Sequence, residues 1–125
     1  MSNVKNKIQI SKSPARVSKT RQSVATVDRK EVINQIMSQL LFGEISQGEA
    51  LKILRIKILS LNQERYAKLI NISRKTLSEI ENDKGNYSAD IINKAFKPFG
   101  LKIGLIPFSP HVLFSLLKEH SNNNA

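Results

Sequence analysis

The sequence predicts an all-α protein, a bundle of short helices with one short strand near its C-terminal end. Three observations predict it. From Glu31 onward, apolar residues recur at spacings of three and four through most of the chain. Residues suited to capping stand where these runs begin, and Gly or Asn follows where several of them end. The exception is Leu101–Ile106, which alternates with period two. At 125 residues, 40% of them apolar, the chain has room for one domain with a modest core.

The elements follow in order. Residues 1–30 carry eight Lys or Arg against one acid, Asp28, together with many Ser and Pro14. No apolar period is sustained there, so the stretch reads as a disordered basic arm. Within it, Lys7-Ile8-Gln9-Ile10-Ser11 alternates like a short strand. Residues 31–45 form an accessory amphipathic helix, built on Val32, Ile33, Ile36, Met37, Leu40 and Leu41 and stopped by Gly43. The main domain spans 46–107. Ser46-Gln47-Gly48-Glu49 has the form of a capping box, so a helix begins near Gln47, with Ala50, Leu51, Leu54 and Ile58 as its apolar stripe.

Asn62 caps a third helix, which presents Tyr66, Ala67, Leu69 and Ile70 to the core before a turn at Asn71, a residue type that tolerates the left-handed conformation. Ser73 caps a fourth, with Leu77 and Ile80 inward and Thr76 at the edge, ending around Asn82 to Gly85. Ser88 caps a fifth, with Ile91, Ile92, Ala95 and Phe96 inward, stopped by Pro98 and Gly100. Leu101–Ile106, bounded by Gly100 and Pro107, is the predicted strand. Residues 108–125 are a short helix, with Val112, Leu113, Leu116 and Leu117 on one side, and a polar tail.

Charge narrows the function. A net charge of +10 and a pI near 10.1 point to anionic partners, nucleic acid first and a membrane surface second. No apolar run approaches the roughly 18 residues of a membrane span and no signal peptide is evident, so no membrane partner and a cytoplasmic, nucleoid-associated location are expected. There is no Cys, and His111 and His120 lie near the polar C-terminus, so neither a metal site nor another cofactor is predicted. Nucleophile-elbow and glycine-rich phosphate-loop sequences are both missing, which argues against an enzyme.

The informative segment is LNQERYAKLINISRKTLSEIENDKG, Leu61 to Gly85: two short capped helices joined by a turn of about three residues, a helix-turn-helix. It resembles the lambda-repressor-like helix-turn-helix family, also called the xenobiotic-response-element family, over about residues 47–100. The resemblance rests on Leu61-Asn62-Gln63-Glu64, Ala67, Ile70-Asn71-Ile72-Ser73, and Ile80-Glu81-Asn82 followed by Lys84. It implies that family's bundle, here extended by the N-terminal helix, the strand and the terminal helix. It also implies phosphate contacts from Asn62 and Gln63 through the start of the first helix of the pair and from Asn82 and Lys84 after the second, with Thr76 grouped among them; such contacts fix register.

The chain departs from the family pattern in three places. Asp83 replaces a glycine often found after Ile-Glu-Asn. The connection from Leu54-Arg55 to Asn62-Gln63 is about one residue longer than in many relatives, which leaves open the usual pairing of a helix-one arginine with Glu81. Where many relatives begin a further helix, Leu101–Ile106 has strand character.

Base contacts follow from helix electrostatics. Arg74 and Lys75 stand in the first turn of the fourth helix, where the macrodipole disfavours each cation by a few tenths to about 1 kcal/mol. A partner should compensate. Guanine O6 and N7 suit a guanidinium, and an ammonium reaches the same edge or a phosphate. Ser73 at the cap and Ser78 one turn on are further candidates for base contact. Glu79 has three readings: an acceptor for cytosine N4, a charge that repels misplaced phosphates, or a solvated side chain. Tyr66, Leu69, Leu77 and Ile80 are expected in the core.

A single strand on a helical domain needs a hydrogen-bonding partner. The same strand of a second copy, meeting across a two-fold axis through Leu101, Ile103 and Leu105, would make a homodimer on a palindromic operator with half-sites ~34 Å apart. The rival partner is Ile8-Gln9-Ile10. The layout is similar to that of HipB-type antitoxins, in which C-terminal strands form a small intermolecular sheet. The basic arm either follows the phosphate backbone or minor groove, or is a solvated tail. Three functions fit: an autoregulating antitoxin whose apolar surface at 31–42 or 108–120 docks a toxin, a stand-alone phage- or plasmid-type repressor, and a protein-interaction adaptor without base reading.

Overall fold

The computed structural model describes residues 26–123, so most of the basic arm, including the alternating segment 7–11, lies outside the described residues. Six α-helices run through the described part: α1 Thr26–Leu41, α2 Gln47–Leu54, α3 Gln63–Ile70, α4 Arg74–Glu81, α5 Ala89–Phe96 and α6 Pro110–Asn123. Four of their starts are held by a side-chain oxygen that accepts a free first-turn N–H. Ser46 accepts from Glu49 N at 3.0 Å while the Glu49 carboxylate accepts from Ser46 N at 3.4 Å, closing the capping box. Asn62, Ser73 and Ser88 accept from Arg65, Thr76 and Ile91 at 2.8, 3.0 and 3.3 Å.

The stops share one geometry. Gly43, Asn71, Asp83 and Gly100 each adopt a positive φ, and the next residue's N–H returns to a carbonyl five residues back: Glu44 to Gln39, Ile72 to Ala67, Lys84 to Glu79 and Leu101 to Phe96. This is the Schellman stop, which satisfies the last carbonyls of a helix and reverses the chain.

The core gathers Ile36, Leu51, Leu54, Tyr66 and Leu77, all fully buried, with Ala50, Ile80, Ala95, Phe96 and Phe99 around them. α2 packs on α4, α3 on α4, and α1 on α2. Tyr66 joins α3 to the region of α5: its hydroxyl donates to the Ala95 carbonyl at 2.6 Å and its ring stacks on Phe99 at 6.0 Å. Burial pushes the Tyr66 phenol far above its usual pKa.

Two expectations need correction, and a third element is not seen. α1 begins at Thr26 rather than Glu31; Asp28, which the helix dipole favours, and its neighbours Arg29 and Lys30 are exposed and polar, so no apolar period marks the start. Leu69 is 59% exposed and not a core residue. One step before buried Ile70 turns it ~100° round the helix, off the inward face. The strand expected at Leu101–Ile106 is not seen: among the described residues the segment 101–107 lies in neither helix nor strand. Its Ile103 N–H donates to the Asn93 side chain at 2.8 Å, and a strand exists only where a second strand completes its ladder.

Candidate nucleic-acid interface

The site is α4 and its flanks, and the buried polar network behind α4 sets its position. Arg55 donates from Nε and Nη2 to the two carboxylate oxygens of Glu81 at 2.7 and 2.9 Å, and from Nη1 to the Leu61 carbonyl at 2.7 Å. Both side chains are nearly solvent-free, at 7% and 2% exposure. This bidentate pair ties the end of α2 to the end of α4. The longer connection does not prevent it, because Arg55–Leu59 forms a π-turn ending at left-handed Ser60. A π-turn holds more residues than an α-turn and so takes up the added length.

Gly48 brings α2 closer still. A Cβ there would overlap the carbonyl oxygens of Ile80 and Glu81, so only glycine allows this crossing. Asp83, in the place where the family often has glycine, takes the left-handed φ of 58° itself. Its carboxylate accepts from Ser46 Oγ at 2.7 Å and from Gly48 N at 2.9 Å. The negative charge is therefore held at the start of α2, where the helix dipole favours it.

α4 presents the predicted base-contact residues as follows. Arg74 and Lys75 are exposed, and their side chains make no hydrogen bond or ion pair among the described residues. Ser73 is occupied as the cap; its hydroxyl accepts from Thr76 N and donates to Thr76 Oγ1 at 2.9 Å. Ser78 is half-buried, and Asn82 donates to its carbonyl at 2.9 Å. Lys84 is exposed just beyond the helix. Asn62 caps α3, while the Gln63 amide donates to Glu81 Oε1 at 3.0 Å and is thereby turned toward the Arg55 pair.

Glu79 is half-buried, with Tyr87 donating its hydroxyl to Oε1. That hydrogen bond raises the Tyr87 pKa. The ring lies over Gly85, where a Cβ would sit only 2.6 Å from the ring carbon Cε2. Sequence reasoning did not find Tyr87. The available signal was an aromatic residue in an otherwise polar loop, two positions after a glycine.

A short helix held from behind by a buried ion pair, with an exposed cationic leading edge and a three-residue turn before it, defines a DNA-binding helix-turn-helix domain. A helix-turn-helix family model matches residues 44–106, half of the chain, and the chain belongs to the lambda-repressor-like helix-turn-helix family of DNA-binding transcription regulators. No curated protein and no solved structure matches it. No helix among the described residues is long and apolar enough to cross a membrane.

Proposed function

We propose that the protein is a sequence-specific repressor that places α4 in the major groove of a palindromic operator as a homodimer. The observation that carries this reading is the pair Arg74 and Lys75: two cations with no side-chain partner among the described residues, at a helix start that disfavours them, on a helix fixed from behind. Ser73, Ser78 and Glu79 complete the base-facing set. Asn62, Gln63, Thr76, Asn82 and Lys84 supply phosphate contacts around it, those of Asn62 and Gln63 being supported by the free N–H groups at the start of α3.

The homodimer is supported by the distribution of apolar surface. Among the described residues, eleven large hydrophobics are exposed and eight of them fall between Ile103 and Leu117, with Leu105 and Phe108 wholly exposed. Such a patch marks an interaction site. Leu101, Ile103 and Leu105 pair with their copies in this reading. α6, with Val112, Phe114, Leu116 and Leu117 half exposed, leaves further surface for a toxin, which makes the protein the autoregulating antitoxin of a toxin–antitoxin operon. In the alternative, a stand-alone repressor, the same surface is consumed within the dimer. α1 gives the toxin reading no support, since Val32, Ile33, Ile36 and Leu40 face the core.

Selection of bound sites from random duplexes tests the reading. Arg74→Ala should relax preference at one base position of each half-site, whereas Lys84→Ala should weaken all sequences alike and lower the salt slope by about one. Equal loss of specificity from both changes contradicts the assignment.

A further inference from the structure

Glu79 lies one turn after Lys75 on the outward face of α4, a spacing at which opposite charges commonly pair. The two do not pair here. The carboxylate instead turns to the side, to the hydroxyl of Tyr87, which comes from the loop before α5. Three features fix that hydroxyl. The Tyr87 ring packs against the core, its loop ends at the Ser88 cap, and Gly85 leaves the space that the ring fills. Glu79 is thus held through Oε1, while Oε2 has no hydrogen-bond partner among the described residues.

An ionised carboxylate only accepts hydrogen bonds. A phosphate, guanine O6 and N7, or thymine O4 would face it with repulsion, and the adenine N6 donor stands beside the repelling N7 acceptor, whereas the cytosine N4 amino group offers it a donor with no acceptor on the same edge. Resting on the reading that α4 enters the major groove, we propose that Tyr87 is a specificity-determining positioning residue, which holds Glu79 as a fixed acceptor for cytosine N4. A freely rotating carboxylate would lose side-chain entropy on contact with a base, and the Tyr87 bond removes that loss beforehand. The discrimination therefore depends on a residue outside the recognition helix.

The test is site selection with the full chain and four variants: Glu79→Gln, Glu79→Ala, Tyr87→Phe and the double variant Tyr87→Phe/Glu79→Ala. Tyr87→Phe keeps the ring over Gly85 and removes only the hydroxyl. Glu79→Ala should erase a cytosine preference of about tenfold at one position per half-site. Glu79→Gln should move that position toward adenine, whose N6 and N7 match an amide. Tyr87→Phe should lower the cytosine preference at the same position several-fold and add nothing in the Glu79→Ala background. If Tyr87→Phe leaves that preference intact while the Glu79 variants change it, or weakens all sequences alike, Tyr87 does not position Glu79 and the proposal fails with the groove reading unharmed. If Glu79 variants alter no position while Arg74→Ala alters one, it fails in the same way. If the unaltered chain enriches no sequence, the groove reading falls and takes the proposal with it.

Discussion

Arg74 and Lys75 are exposed at a helix start, where the dipole opposes them, while Arg55 is buried and held by a matched carboxylate. The contrast separates two uses of cationic side chains in one small domain. Arg55 serves the fold, and its removal from water is tolerable only because Glu81 meets it in bidentate geometry. Glu81→Ala would leave a buried guanidinium unpaired and should lower stability by about 3–5 kcal/mol in urea denaturation; a loss below about 1 kcal/mol would show that the pair does not hold α4. The same scale shows what single residues disclose in sequence. Ser46, Asn62, Ser73 and Ser88 were legible as caps because capping is a local event between a side chain and its own first turn. Leu69 was misread because composition alone does not say that one step along the helix carries it off the buried face.

Among the elements, the connections decide where α4 stands. The π-turn at Arg55–Leu59 absorbs the longer connection, and Gly48 lets the start of α2 reach the carbonyls at the end of α4. Neither could be read from the chain: the π-turn is a response to tertiary pairing, and the Gly48 contact joins residues more than thirty positions apart. Asp83 shows the same limit. Its departure from the family pattern was visible, but its bonds to Ser46 and Gly48 were not. Asp83→Ala keeps the unfavourable left-handed backbone and loses both bonds, for an expected loss of about 1–3 kcal/mol. Asp83→Gly loses the bonds but relieves the backbone, and should be the more stable of the two by about 1 kcal/mol in thermal or urea melts. Equal stabilities would mean that the backbone at position 83 carries no such penalty.

For the whole molecule, surface character divides by region. The cationic edge of α4 and the exposed apolar side chains from Ile103 to Leu117 belong to different parts of the chain, which suits a protein proposed to bind a duplex with one and a second copy with the other. The helical bundle was legible from periodicity and caps. A strand at Leu101–Ile106 is not seen among the described residues; the period-two pattern shows only that the segment could join a ladder, and the ladder needs another strand. Leu105→Asp should convert the proposed dimer to a monomer by light scattering, whereas Leu69→Asp, an isolated exposed position on α3, should leave the mass unchanged. An unchanged mass for Leu105→Asp would place the dimer contact elsewhere. The orientation of α4 on DNA is tested most directly by methylation interference on a selected operator. Methyl groups at guanine N7, in the major groove, should block binding at two clusters about one helical turn apart, and Arg74→Ala should remove the block at one guanine in each. Interference confined to adenine N3 in the minor groove, or guanine signals indifferent to Arg74, would contradict that orientation.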